Sequence, residues 1–412
     1  MVRTTEEHRV RDDTWVYDNR VYDEYIYTVQ FYKGQYESSY PVLYLDQNEP
    51  LRLEFDELMN VDERASDLLV DIISCNANWE PSNVLPIEFY EGFTQDRILQ
   101  FQRSRNTKVP YMHYFYEFPQ RGEFFKMSGN YLLKVYRDNA EEEVIITRRF
   151  VVVEPKVGIN LRYLLNQEPE RLELRELGFA VNTKNLAVRN PQLDLRIEML
   201  QNFRWDNRVS LDQPVFLDPN MFEYKINLIR EFPGGNEFRF HDIRSLRLYS
   251  GSVREIFERD EVYDVVLQTD RPRLTNDFGP VRDLNGSFYI DVMNFPQPQL
   301  HADYVYNLFS LKMPELEGGD VYLFGAFTDW HTYDQYKMAY DEELGLYKVE
   351  VLLKQGFYDY QYVVVEDGEV DDAVLEGKHR DTENFYSILI YFRAPMDRND
   401  RLVGFRAVNY IE

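Results

Sequence analysis

Six histidines, one cysteine and 72 acidic side chains are the groups in this 412-residue chain that could do chemistry. Their spacing argues against it. His8, His113, His241, His301, His331 and His379 stand apart, and none forms HExxH or pairs with another at metal-ligand spacing. The lone cysteine, Cys75, allows neither an internal disulfide nor a cysteine-built zinc site. No GxSxG elbow offers a nucleophile. Gly234-Gly235-Asn236 lacks the glycine spacing and strand-to-helix setting that cradle a phosphate. Acid pairs such as Asp12-Asp13 and Asp371-Asp372 arise by chance among so many carboxylates. Acid–base work would need them in a cleft with shifted pKa values. Function rests on a site, and the sequence predicts no enzyme, no metal and no cofactor.

The balance of charge narrows the partners. Asp and Glu outnumber Lys and Arg 72 to 46, a formal charge of −26. Such a chain is not held to nucleic acid or anionic lipid by a general basic field. The plain reading of the charge is solubility. No apolar run reaches the roughly 18 residues of a membrane span, so no direct membrane insertion is expected. The opening MVRTTEEHRV is polar and carries no signal peptide, which fits a cytosolic protein or a mature form.

The elements that would position any site are strands. Hydrophobic content of 44% is ample for a core, and 32 Tyr with 28 Phe favour β structure. Strands are predicted at 25–32, 41–45, 51–55, 68–75 and 109–118. A closing hairpin of immunoglobulin type follows at 128–153 (SGNYLLKVYRDNAEEEVIITRRFVVV). Further strands are expected at 186–188, 193–199 and 240–249. The segments 264–268 and 287–291 are expected to flank a hairpin turn at Asn285-Gly286. Cys75 ends an apolar strand and reads as a small buried hydrophobe. Arg239, Arg244 and Arg247 are expected to pair with acids, and Asp400 with Arg401 to form a local ion pair. The aromatics of Tyr111-Met112-His113-Tyr114 are expected to stack across strands. The blocks are an N-terminal arm over 1–24, then β domains over 25–155, 156–296 and 297–412. The fold class is therefore all-β: three packed immunoglobulin-like or early-set β-sandwiches in an elongated array.

The stretch 321–367 carries a resemblance. Val321, Leu323 and Gly325 alternate with Tyr322, Phe324 and Ala326, and Phe327-Thr328-Asp329-Trp330 follows. After a second strand and a glycine turn comes YDYQYVVVEDG. This layout resembles the early-set sandwich of glycogen-binding modules, in which aromatic platforms stack on sugar. Trp330 fills one platform position. The usual lysine falls at Val363 and the second tryptophan at Val370. Glucan binding is therefore not the leading expectation, although a carbohydrate-binding protein using Trp330 is the alternative function. A cytosolic scaffold is a third.

Several long motifs in order point elsewhere. YPVLYL, CNANWEPSNV, FYEGF, YMHYFYEFP, SGNYLLKVYRD, QNFRWDN, FPGGNEFRFHDIRSLR and EGKHRDTENFYSILIYFR are similar to the plug protein family of the type IX secretion system. The resemblance runs from about Tyr25 to Gly404. It implies three β domains, a periplasmic location and a non-enzymatic role. The implied partner is the outer-membrane translocon barrel, whose periplasmic opening such a protein closes. The resemblance brings no catalytic residue. Trp79, Trp205, Trp330, His379, Thr382, Glu383, Asn384, Asp400 and Arg401 are its family-motif positions and candidate interface residues.

Overall fold

The protein is described from a computed structural model over residues 15–47, 49–60, 64–139, 143–163, 176–211, 213–232, 236–273, 283–293, 295–377 and 382–410. Strands dominate, and they assemble into paired antiparallel-rich sheets that sandwich three apolar cores. The all-β expectation holds.

In the first sandwich one sheet runs Arg20–Val21, Val144–Val153, Gly129–Arg137, Leu68–Cys75 and Gln95–Arg97. Val42–Tyr44 adds to it in parallel. The facing sheet runs Ile26–Lys33, Leu51–Leu58, Tyr111–Phe118 and Gln100–Arg103. Side chains alternate between faces along a strand. Leu51, Leu53 and Phe55 therefore all point inward, to meet Tyr131, Leu133, Val135 and Phe150. Each such burial contributes roughly 1.5–3 kcal/mol. The expected closing hairpin forms, with Leu132 opposite Arg149 and Val135 opposite Ile146. Residues 15–24 are not a detached arm. Arg20 and Val21 pair with Thr147 and Ile146, and Trp15 and Tyr17 pack on the outer face of that sheet. The strand edge at 146–147 supplies backbone partners that the polar composition of this segment did not advertise.

The cores divide the rest of the chain differently from the expected blocks 156–296 and 297–412. The second sandwich opens with Gly158–Tyr163, Glu176–Asn182, Met221–Asn227 and Phe216–Asp218 in one sheet. Its other sheet is Val209–Leu211, Leu195–Gln201, Asn384–Phe392 and Arg401–Tyr410. Leu195 lies opposite Phe392 and Met199 opposite Ile388, across some 190 residues of chain. The last two strands thus complete the second core, not the third. No low-complexity run in the sequence marks the crossings, because strand choice follows the fit of apolar faces and not nearness in sequence.

The third sandwich is what lies between those crossings. One sheet is Val253–Glu258, Tyr263–Leu267, Tyr304–Leu311, Leu346–Lys354 and Ala339–Asp341. The other is built on Gly356–Glu366, flanked by Arg239–Asp242, Phe288–Ile290, Asp320–Phe324 and Glu369–Asp371. Two expected turns change meaning here. The chain crosses from one sheet to the other between Lys354 and Gly356 instead of folding back as a hairpin. Gly356 is needed because a Cβ there would sit 2.4 Å from the Tyr289 carbonyl oxygen. The Asn285-Gly286 turn forms, with positive φ at both residues, but Phe288–Ile290 then pairs with 356–358 and not with 263–267. A tight turn fixes local reversal, and the core chooses the partner. Residues 186–188 are not a strand, and the strand expected at 240–249 spans only Arg239–Asp242.

Apolar layers also join the sandwiches. Outer faces of the first and second meet through Val42, Cys75, Trp79, Leu132, Val151, Leu389, Tyr391 and Leu402. Burial pushes the Cys75 thiol up to about 12, as suits an inert packing residue. Leu58, Val109 and Tyr111 of the first sandwich meet Tyr304 and Leu352 of the third.

Candidate functional site

The motif residues gather at the junctions between sandwiches. At the first–second junction, Trp79 follows the strand Leu68–Cys75 in a loop closed by the bond from Trp79 N–H to the Asn76 carbonyl, 2.9 Å. Its φ of 68° is a left-handed conformation that a bulky residue keeps only when its surroundings enforce it. They do so here. Trp79 is 4% exposed and meets Trp205 edge-on, ring centres 4.7 Å apart. The Arg149 guanidinium lies 4.6 Å from the centre of the Trp79 ring and 5.8 Å from that of Trp205. Asp18 holds the same guanidinium at 2.9 Å. Burial pushes Arg149 below its usual pKa, against the pull of Asp18.

Asp400 closes the same junction from the second sandwich. Its Oδ2 accepts the Ala77 N–H at 2.9 Å. The expected pairing of Asp400 with Arg401 does not occur. Asp400 ends the loop that precedes the strand Arg401–Tyr410 and turns to Arg393 at 3.5 Å, while Arg401, the first residue of that strand, turns to Asp397 at 3.4 Å and Glu154 at 3.7 Å.

Trp330 stands at the second–third junction. Arg204, from the loop after Leu195–Gln201, places its guanidinium 4.5 Å from the ring centre. Phe324 and Phe238 meet the ring edge-on at 5.4 and 5.9 Å. A Cβ on Gly286 would come within 2.2 Å of Trp330 Cη2. The ring is a packing element, and its cation comes from the protein itself.

Thr382 is buried nearby. The Glu383 N–H donates to Glu237 Oε1 at 2.9 Å, tying the second crossing of the chain to the first. Asn384 Oδ1 accepts from Asn202 Nδ2 at 2.8 Å, and the Phe385 N–H donates to Asn202 Oδ1 at 3.0 Å. His379 lies outside the described residues. Three carboxyls crowd this junction. Burial, reinforced by the charge of Asp283, raises Glu237 to about 7 and Asp359 to about 8. Burial raises Asp283 too. Asp359 Oδ2 accepts the Leu284 and Gly286 N–H groups at 2.5 and 3.2 Å, which secures the turn beneath Trp330.

Sequence reasoning missed the first–third junction. Asp56 accepts from Lys354 Nζ at 2.5 Å, from Tyr304 Oη at 2.7 Å and faces His113 Nδ1 at 2.8 Å. Lys354 also lies 4.1 Å from the centre of the Tyr111 ring. The available signal was Glu54 and Asp56 alternating with apolar residues on a strand whose register brings Asp56 opposite His113. Of the arginines expected to pair with acids, Arg239 meets Asp270 at 3.0 Å and Glu376 at 2.9 Å, and Arg244 meets Asp242 at 2.7 Å.

These arrangements pack, pair and cap. Among the described residues no group of three or more His, Cys, Asp or Glu is placed to hold a metal ion. No described helix is long and apolar enough to cross a membrane.

Comparison with known proteins places this geometry. A crystal structure at 2.30 Å of a hypothetical protein from Parabacteroides merdae ATCC 43184 is 32% identical, covering 96% of this chain and 100% of the other, with a TM-score of 0.89. A partial N-terminal region of enterococcal surface protein aligns over 98% of both chains, but at 7% identity and a TM-score of 0.20 it bears on nothing here. Comparison with curated proteins gave no match. Residues 26–154 match the family described as type 9 secretion system plug protein, 1st domain. The chain belongs to the type IX secretion system plug protein family.

Proposed function

We propose that the protein is a non-enzymatic plug that closes the periplasmic opening of the outer-membrane barrel of the type IX secretion system. The observation that carries this reading is the fusion of three sandwiches into one block. An apolar layer joins the first and second, and another joins the first and third beside the buried Asp56–Lys354 pair. The chain crosses twice between the second and third, with Glu237 tied to Glu383. Junctions of this kind suppress the hinge motion expected of domains that share small polar contacts. A closure element works by holding its shape against a wide opening, so rigidity and breadth serve it where a catalytic pocket would not. The charge of −26 keeps such a block soluble when released. The protein acts in the periplasm against the translocon.

Affinity purification of the detergent-solubilised protein from its native cells tests the reading. A very large outer-membrane barrel recovered in near-equal amount supports it. Recovery alone, or with soluble partners only, overturns it.

A further inference from the structure

We infer that one end of the first sandwich is a peptide-binding groove, taking an extended partner segment that carries a cation between apolar side chains. This goes beyond the closure of a barrel and stands whether or not that reading holds. The groove has a volume of about 870 Å³ and lies between the strands Val42–Tyr44 and Tyr111–Phe118 and the turn at 119–123. Leu99 and Phe124 on its walls are 73% and 49% exposed. Large apolar side chains that line one concavity mark a place where something docks.

The backbone offers a template. The strand Gln100–Arg103 stops with Gln100 opposite Phe115, while its neighbour runs on to Phe118 opposite Leu51. Beyond Phe115, the side of this strand that the Gln100–Arg103 strand vacates presents the backbone of Glu117 with no strand partner among the described residues. An open edge beside apolar walls is the geometry for strand addition.

Charge selects the occupant. Asp96 accepts from Tyr116 Oη at 3.1 Å, from Gln120 Nε2 at 2.8 Å and from the Arg97 N–H at 2.8 Å. Glu123 accepts from Tyr90 Oη at 2.9 Å and the Gln120 N–H at 3.1 Å. All these donors are neutral, and neither carboxylate meets a cation among the described residues. Glu117 is 3.6 Å from Arg52. The Arg97 guanidinium turns instead to Asp67, at 3.2 Å, and to Asp138. Arg121, on the exposed turn, is the other basic residue of the groove. Acid thus exceeds available base, and the missing cation is what a guest segment would bring. A second copy fits poorly, because chains of charge −26 repel one another.

Fluorescence anisotropy on the full chain at physiological ionic strength tests this. The probe is a labelled peptide of about ten residues alternating Val and Lys, long enough to lie along a strand, with a Val–Glu peptide as its counterpart. We expect the Val–Lys peptide alone to bind. The double variant Asp96→Asn/Glu123→Gln keeps the acceptors and removes the charges, and should weaken binding roughly tenfold. Leu99→Ser should weaken it too, and Phe216→Ser on the second sandwich should leave it unchanged. If Leu99→Ser does not fold, the isosteric double variant decides. No binding, equal binding of both peptides, or loss with Phe216→Ser overturns the inference. A dimer abolished by the groove variants would assign the groove to a second copy and overturn it as well.

Discussion

Lys354 reaches Asp56 across the junction of the first and third sandwiches, 2.5 Å between Nζ and Oδ2, with each side chain 1% exposed. Burial alone would raise the Asp56 carboxyl; Lys354 and His113 outweigh it and hold the group below the usual carboxylate range. A charge so enclosed depends on its partners, and Lys354 is the first of them. We expect Lys354→Met to destabilise the fold by about 3–5 kcal/mol, the cost of stranding a buried carboxylate. The double variant Asp56→Asn/Lys354→Met should cost less than that single one. Denaturant titration of the three proteins checks the order, and a double variant worse than Lys354→Met would refute this account of the pair.

The carboxyls beside Trp330 predict a different pH response. Asp359 and Glu237 titrate at about 8 and about 7 in the folded protein, against roughly 4 in the open chain. Between those values the folded state holds protons that the unfolded state has released, so this share of stability is present at low pH and is lost as pH rises through 7 and 8. The melting temperature should therefore fall between pH 5 and pH 8.5. Asp359→Asn keeps an acceptor for the Leu284 and Gly286 N–H groups and should flatten the fall. Parallel slopes for the variant and the parent would exclude Asp359 as its source.

Arg149 between two tryptophans gives a spectroscopic prediction. Lysine keeps the charge but loses the flat guanidinium that lies against Trp79 and bonds the Tyr17 carbonyl. Arg149→Lys should cost about 1–2 kcal/mol and shift tryptophan emission, because two of the four tryptophans border the site. Unchanged emission and stability would show the stacking to be incidental.

Trp330 separates packing from sugar binding. Trp330→Ala should destabilise by about 2–3 kcal/mol, somewhat below the usual cost for a fully buried ring, since the ring is only half-buried. Neither the parent nor this variant should be retarded on a glucan column. Retardation of the parent that Trp330→Ala abolishes would restore the ring as a platform.

The strands were legible because period-two alternation is local. The sequence LRLEF states which side of 51–55 is apolar, and the structure buries Leu51, Leu53 and Phe55; that it also buries Glu54 and Asp56 on the other side was not legible. Trp330 was legible as a marked residue but not as Arg204's neighbour, since nothing in QNFRWDN says which ring its guanidinium will meet. Asp56 and Lys354 are separated by nearly 300 residues, and a strand pattern carries no record of which sandwich its outer face will touch. Asn285-Gly286 announced a turn correctly and its partner strand wrongly, for the same reason. The strand 384–392 pairs with 195–201, far upstream, and no local pattern records that choice.

The return of 384–410 to the second sandwich also sets an order of assembly. The second core lacks Tyr386, Ile388, Ile390, Phe392 and Val403 until the final 30 or so residues are in place, whereas every named strand of the first and third sandwiches lies upstream of them. Long-range pairing of this sort is slow, because loop closure precedes its reward. During synthesis or passage through a narrow pore, the half-built sheet ending at 195–201 must wait with one edge open while the whole third sandwich emerges and folds. A chain cut short before Asn384 would keep the first and third cores finished and expose the second, which makes the last hairpin the point where proteases can distinguish a complete molecule from a nascent one.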